Sequence, residues 1–173
     1  MIRFGREEDI EALRRIYNDE VEHSVATFDL DPRTPEEMEE WFRAHHGIHR
    51  LLVWEEAGEA VAYATLSPYR QRKAFDATVE LSVYVRQDQR GKGIGRALME
   101  KLLEEARRDP GIHTVISVIT SENTGSIRLH QRLGFTFCGR IQEAGFKFGR
   151  WLGIDHYQIM VDEPEDMAEK GKS

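Results

Sequence analysis

The sequence predicts a mixed α/β domain in which antiparallel strands come first and crossover helices later. Three observations carry this. Apolar residues switch between the period of two that marks strands and the spacing of three or four that marks helices. Turn signals separate these segments at short intervals. One glycine-rich run stands between a strand and a helix in mid-chain. The order that results is β-α-α-β-β-β-α-β-α-β-β.

Ile2 and Phe4 alternate with polar neighbours and predict a short first strand. Ile10, Leu13, Ile16 and Tyr17 recur at helical spacing, so a helix runs from about Glu7 to Glu22. Thr34-Pro35-Glu36-Glu37 is a capping box with proline at the first helical position, and opens a second helix through Met38, Trp41 and Phe42. Leu51 to Trp54 and Ala60 to Leu66 read as two strands joined by a turn. Ser67 to Ala77 is a loop rich in charge and aromatics, and Val79 to Val85 a further strand. A helix follows on Ile94, Leu98, Leu102 and Ala106, stopped by Asp109-Pro110-Gly111. Val115 to Ile119 is a strand, Thr124 to Leu133 a short helix, and Phe135 to Ile141 and Leu152 to Val161 two closing strands. Residues 1–162 form one domain, and 163–173 read as a charged, flexible tail.

A chain of 173 residues suits one domain that buries a sizeable core unaided. The 40% hydrophobic and 32% charged residues fit a soluble globular protein. No stretch has the ~20 apolar residues a membrane span needs, and the start has no apolar signal core, so a cytoplasmic protein without a membrane partner is expected. The formal charge of −7 argues against nucleic-acid binding, which needs a basic face. The lone Cys138 reads as a small core residue. His45, His46 and His49 are too loosely spaced for a metal site, and no metal is expected.

Within this acidic chain Arg86, Arg90, Lys92 and Arg96 form a basic island around Gly91-Lys92-Gly93-Ile94-Gly95. Glycines let backbone approach a ligand, and the unpaired N–H groups of a helix start sit at the positive end of its dipole. Together they suit a phosphate. The dinucleotide fingerprint fails because Arg96 replaces its third glycine, and the Walker spacing is absent. Arg-x-x-Gly-x-Gly is met by Arg90, Gly93 and Gly95. A strand–helix turn that merely needs glycine is the plain alternative.

Val83-Tyr84-Val85 followed by Arg90-x-x-Gly93-x-Gly95 resembles the signature of the GNAT superfamily of acetyl-CoA-dependent acetyltransferases. Asn123 to His130 and Leu133-Gly134-Phe135 resemble it further. Thr78 to Val85, Ser126 to His130 and Lys147 to Trp151 narrow the resemblance to the phosphinothricin / methionine sulfoximine acetyltransferase branch, over residues 1 to 161. The loop Arg70 to Ala77 departs from that branch in composition and leaves the substrate open.

The resemblance implies a GNAT fold, acetyl-CoA as donor, a small amine acceptor and a homodimer. It implies that Val83, Tyr84 and Val85 meet the pantetheine arm, and that Arg90, Gly91, Lys92, Gly93, Ile94, Gly95 and Arg96 take the pyrophosphate. Asn123 and Ser126 would contact the cofactor arm, with a helix cap as the bland role for Asn123. Glu80, flanked by Val79 and Leu81, is the expected general base, because apolar surroundings raise a carboxyl pKa. His130 occupies the place of the tyrosine that protonates the thiolate in many superfamily members, though a histidine satisfied by backbone is an equal reading. Phe28, Lys73, Ala74, Phe75, Lys147, Arg150 and Trp151 are the expected acceptor-site residues, with Glu80. The leading acceptor is an amino-acid-like compound. A peptide N-terminus, a polyamine or an amine drug are alternatives, as is a non-catalytic acyl-CoA-binding domain.

Overall fold

The computed structural model describes residues 1–162, so the expected tail 163–173 lies outside the described residues. The strands are β1 (Ile2–Phe4), β2 (Leu51–Glu56), β3 (Glu59–Pro68), β4 (Thr78–Val85), β5 (Thr114–Thr120), β6 (Thr136–Lys147) and β7 (Arg150–Met160). The helices are α1 (Ile10–His23), α2 (Pro35–Arg43), α3 (Ile94–Arg108) and α4 (Thr124–Arg132). One seven-stranded sheet runs β1-β2-β3-β4-β5-β7-β6. The order read from the sequence holds, with short 3₁₀ turns added at 7–9, 73–75 and 87–89.

Alternation along β3 divides the core. Ala62, Ala64 and Leu66 face a cluster with Leu98, Leu102, Leu103 and Ala106 of α3. Tyr63 faces the opposite cluster, with Leu13, Ile16, Tyr17 and Val21 of α1 and Met38 of α2. The sheet is therefore covered on both faces here, and each fully buried leucine contributes roughly 1.5–3 kcal/mol. The capping box forms as spaced. Thr34 Oγ1 accepts from Glu37 N at 3.2 Å, and a Glu37 carboxylate oxygen accepts from Thr34 N at 2.8 Å.

Two readings need correction. The closing hairpin is longer than expected, because β6 continues to Lys147. The segment Gln142-Glu143-Ala144, beyond the expected strand end at Ile141, is a bulge, where the register jumps between Ile141 and Gly145 and Glu143 takes a φ of 48°. Phe148 and Gly149 make the turn between Lys147 and Arg150, with φ of 53° and 74°, the left-handed pair a two-residue hairpin loop needs. Cys138 is exposed rather than in the core, because it lies on β6, the outermost strand of the sheet.

All neighbouring strands are antiparallel except β4 and β5. That parallel pairing lasts only through Thr78–Thr114, Val79–Val115 and Glu80–Ile116. Beyond Glu80 the two strands part, and the gap between them shapes the site.

Candidate active site

The gap has its own hydrogen-bonding logic. In a strand, N–H and C=O of one residue point to one side, and successive residues alternate. Arg86 N donates to Val61 O of β3, so even-numbered residues at this end face β3. The Leu81 carbonyl accepts from Ser117 Oγ of β5 at 3.2 Å, and the Val85 carbonyl accepts from Arg90 Nε at 3.1 Å. Odd-numbered residues therefore face the gap. Val83, between those two, presents its N–H and C=O to the opening.

A cavity of about 410 Å³ occupies this opening. Val83, Tyr84, Val85, Arg90 and Gly95 line one side, and Asn123, Gly125, Ser126 and Leu129 the other. A narrower slot of about 50 Å³ runs deeper between the strands, past Ser82, Ser117, Asn123, Ser126 and His130. At the mouth the loop before α3 bends through Gly91 and Gly93, whose φ values are 76° and 79°. Gly93 is the N-cap of α3 and has no side-chain cap, so the first amides of the helix are left for another acceptor. Ile94 is a core residue and offers only its backbone.

The basic island is less free than its sequence suggests. Arg90 forms an ion pair with the buried Glu20 of α1. Lys92 Nζ donates to Gln89 Oε1 at 2.6 Å. Arg96 turns along the helix to Glu100 at 2.8 Å, away from the cavity. Arg86 pairs with Asp88 and Glu59. Backbone amides, more than free cations, are what this loop offers a phosphate.

Glu80 is half-buried, at the last rung before the strands part. Burial alone pushes its carboxyl above the ordinary carboxylate range, with no ion pair or hydrogen bond among the described residues to offset it. Its face of β4 also carries Ser82 and Tyr84. Burial also raises the Tyr84 phenol, with smaller upward contributions from Tyr17 and the Glu80 charge.

His130 is 2% exposed and occupied at both ring nitrogens. Nδ1 lies 2.7 Å from the Ser126 carbonyl, and Nε2 lies 2.9 Å from Ser117 Oγ. Burial lowers its pKa, partly opposed by the Ser126 carbonyl. Asn123 caps α4, its side-chain oxygen accepting from Ser126 N at 3.2 Å, while also lining the cavity.

The expected acceptor-site residues fall into three groups. Phe28 and Lys147 join the loop that follows α1 to the β6–β7 hairpin. Lys147 is buried, and its ammonium donates to the Thr27 carbonyl at 2.8 Å. One edge of the Phe28 ring lies against Gly145, where an added Cβ would sit 2.3 Å from it. Lys73, Ala74 and Phe75 form the 3₁₀ turn of the β3–β4 loop. Phe75 packs edge-on against Tyr69, and the Arg70 guanidinium lies over both rings. Arg150 pairs with Glu122, and Trp151 is exposed beside Phe146. None of these seven lines the cavity described above.

Several residues at the site carried no signal in the sequence. Glu20, Ser24, Val25 and Ala26 line the cavity from the end of α1. Thr120 Oγ1 donates to Val25 O and ties that segment to β5 across 95 positions. Ser117 looked like an ordinary strand residue. Glu122 sat beside the Asn123–His130 motif, and Gly125 and Leu129 lay within it.

A sheet opened between two parallel strands, with a glycine-bent helix start at its mouth, is the architecture of an acyl-CoA-dependent transferase. The profile of the Acetyltransferase (GNAT) family matches residues 10–135. An L-methionine sulfoximine/L-methionine sulfone acetyltransferase of Pseudomonas paraeruginosa is 41% identical over 89% of this chain and 90% of its own. A phosphinothricin N-acetyltransferase of Streptomyces coelicolor is 38% identical over 91% and 94%. The yncA structure from Salmonella typhimurium, solved with its cofactor acetyl-CoA, superposes with a TM-score of 0.90 at 39% identity over 94% of each chain. This chain belongs to the GNAT acetyltransferase family and is an acetyl-CoA-dependent N-acetyltransferase. No helix of the described residues is long and apolar enough to cross a membrane.

Proposed function

We propose that this enzyme acetylates the α-amino group of a small amino-acid-like acceptor of the methionine sulfoximine, methionine sulfone or phosphinothricin type, with Glu80 as general base. The observation that carries this is the Glu80 carboxyl itself. It is half-buried, unpaired among the described residues, raised in pKa, and set where β4 leaves β5.

The cavity fits the pantetheine arm of acetyl-CoA. Val83 offers it a donor and an acceptor, and Gly91, Gly93 and the first amides of α3 receive the pyrophosphate. Glu80 takes a proton from the acceptor ammonium, directly or through a water, which frees the nitrogen lone pair. The amine nitrogen then attacks the thioester carbon. The Val83 N–H is placed to stabilise the oxygen as it becomes anionic, a contribution of a few kcal/mol. The C–S bond breaks, and His130 supplies the proton that the departing sulfur takes up.

The cations Arg70, Arg72 and Lys73 lie on the loop that leaves β3 at Pro68 and re-enters β4 at Thr78, beside the Ser67–Glu80 rung. They suit a carboxylate-bearing acceptor. Free-thiol release from acetyl-CoA tests the reading, with methionine sulfoximine, phosphinothricin, spermidine and a short peptide as acceptors. The two amino-acid analogues should be the fast ones. Turnover of spermidine or the peptide with inert analogues would refute the substrate class.

The enzyme also acts, on this reading, as a homodimer. Phe137, Ile141, Phe146, Phe148 and Trp151 are all more than half exposed on the β6–β7 hairpin, with β6 at an open sheet edge. A second copy covers such a surface. Sedimentation should give a dimer, and Phe146→Glu with Trp151→Glu a monomer.

A further inference from the structure

Ser117 stands where β4 and β5 part. It is 1% exposed, and its hydroxyl lies between two acceptors, the Leu81 carbonyl at 3.2 Å and His130 Nε2 at 2.9 Å. The other ring nitrogen is committed. Nδ1 lies 2.7 Å from the Ser126 carbonyl, which can only accept, so Nδ1 keeps its proton in every state. Ser126 Oγ, at 3.4 Å, is a distant second partner. Nε2 is thus the ring atom free to gain or lose a proton, and Ser117 is the group it faces. Both residues line the slot, together with Ser82 and Val83.

We infer that Ser117 relays the proton of His130 into the slot. This rests on the reading of His130 as the acid of the reaction. With the imidazole charged, Nε2–H donates to Ser117 Oγ, and Oγ–H donates to the Leu81 carbonyl, so every group is paired. With it neutral, Nε2 and the Leu81 carbonyl compete for one hydroxyl proton. In the transfer, the Ser117 O–H bond breaks and its proton forms S–H on the departing sulfur. The His130 Nε2–H bond breaks and its proton restores Ser117 O–H. Two bonds to hydrogen break and two form, and the imidazolium charge cancels that of the thiolate. His130 then regains a proton from water once the slot is open.

The surroundings keep this pair isolated. From β7 the ring meets Tyr157, 6.4 Å between centroids, and from the end of α4 it meets Phe135 at 4.9 Å. β4 brings Leu81, Ser82, Val83 and Tyr84 to the slot, and β5 brings Ser117 to Thr120. Arg128, on α4 itself, is exposed. No charged side chain contributes to the shift of His130, so a change at Ser117 should register directly in its titration.

The test uses Ser117→Ala and Ser117→Thr in the full chain, with three readouts. These are the His130 ring titration by NMR, the pH profile of kcat, and acetyl-CoA affinity. In Ser117→Ala the imidazolium loses its acceptor at Nε2. Its midpoint should fall by about one pH unit, the size of one hydrogen bond to a charged group. kcat should fall about tenfold or more, with acetyl-CoA affinity unchanged. Ser117→Thr keeps the hydroxyl and should restore both. An unmoved His130 midpoint, or a moved midpoint with unchanged kcat, would overturn the relay. A loss of kcat that threonine does not restore would overturn it too, as a packing effect. His130→Gln separates the premise: full activity there would remove His130 as the acid, whatever Ser117 does.

Discussion

The two ends of β4 are built on different terms. Its carboxyl end runs from Val83 through Gly95 and offers a ligand mostly backbone: the open N–H and C=O of Val83, two left-handed glycines and the first amides of α3. Its amino end carries the Glu80 side chain and is entered from the β3–β4 loop. Arg70 and Lys73 lie on that loop, whereas Lys147 and Phe28 stitch the hairpin to the segment after α1, which lines the cavity at the carboxyl end. On the proposed reading, the donor end is specified by a few glycines in one stretch of chain. The acceptor end, on the same reading, joins a strand carboxylate to the β3–β4 loop, so changes in that loop should alter the substrate while leaving the donor alone.

Substitutions at each end should therefore fail differently. Gly93→Val puts a β-branched residue at a φ of 79° and a side chain where the pyrophosphate would lie. Acetyl-CoA affinity measured by calorimetry should fall about 100-fold, near 2.7 kcal/mol. Retained affinity would sink the pyrophosphate assignment. Glu80→Gln should lower kcat about 100-fold and leave acetyl-CoA affinity alone. An equal loss of affinity would erase the contrast between the two ends. Arg70→Ala combined with Lys73→Ala should raise KM for methionine sulfoximine about tenfold, the loss of one charge-assisted contact. KM for acetyl-CoA should stay unchanged, and a rise there instead would place this loop on the donor side.

Stability sharpens the comparison further. Gly145→Ala forces a Cβ against the Phe28 ring and should cost about 1–3 kcal/mol in denaturant unfolding. An unchanged midpoint would mean that this loop–hairpin seam is loose. Glu80 has the smallest effect of all, with a defined sign. Its folded pKa is raised, so its contribution is favourable at low pH and is lost as pH rises through that value. Glutamine mimics the protonated form. Glu80→Gln should therefore raise Tm at pH 8 and leave it nearly unchanged at pH 4.

The same division explains what could be read from the sequence. Element order follows from local periodicity, and the capping box at Thr34 and Glu37 is local too, so both were legible. The bend at Gly91 and Gly93 lies within a single motif. What was hidden depends on long-range contact. Arg90 meets Glu20 across 70 positions and Lys147 meets Thr27 across 120, and no spacing rule anticipates either. The length of β6 was hidden because the bulge between Ile141 and Gly145 interrupts the apolar/polar alternation that marks a strand. Ser117 gains its place only because β5 diverges from β4 beside it.

The reading stands most directly on kcat measured against pH, with methionine sulfoximine as acceptor, for the wild-type enzyme and Glu80→Gln. A general base acts when deprotonated, and burial raises the Glu80 pKa. Wild-type kcat should therefore rise with pH along an acid limb set above the ordinary carboxylate range. That limb should be absent from the glutamine variant, whose residual rate is flat across it. An identical limb in both enzymes would show that another group accepts the proton and would remove Glu80 from the chemistry.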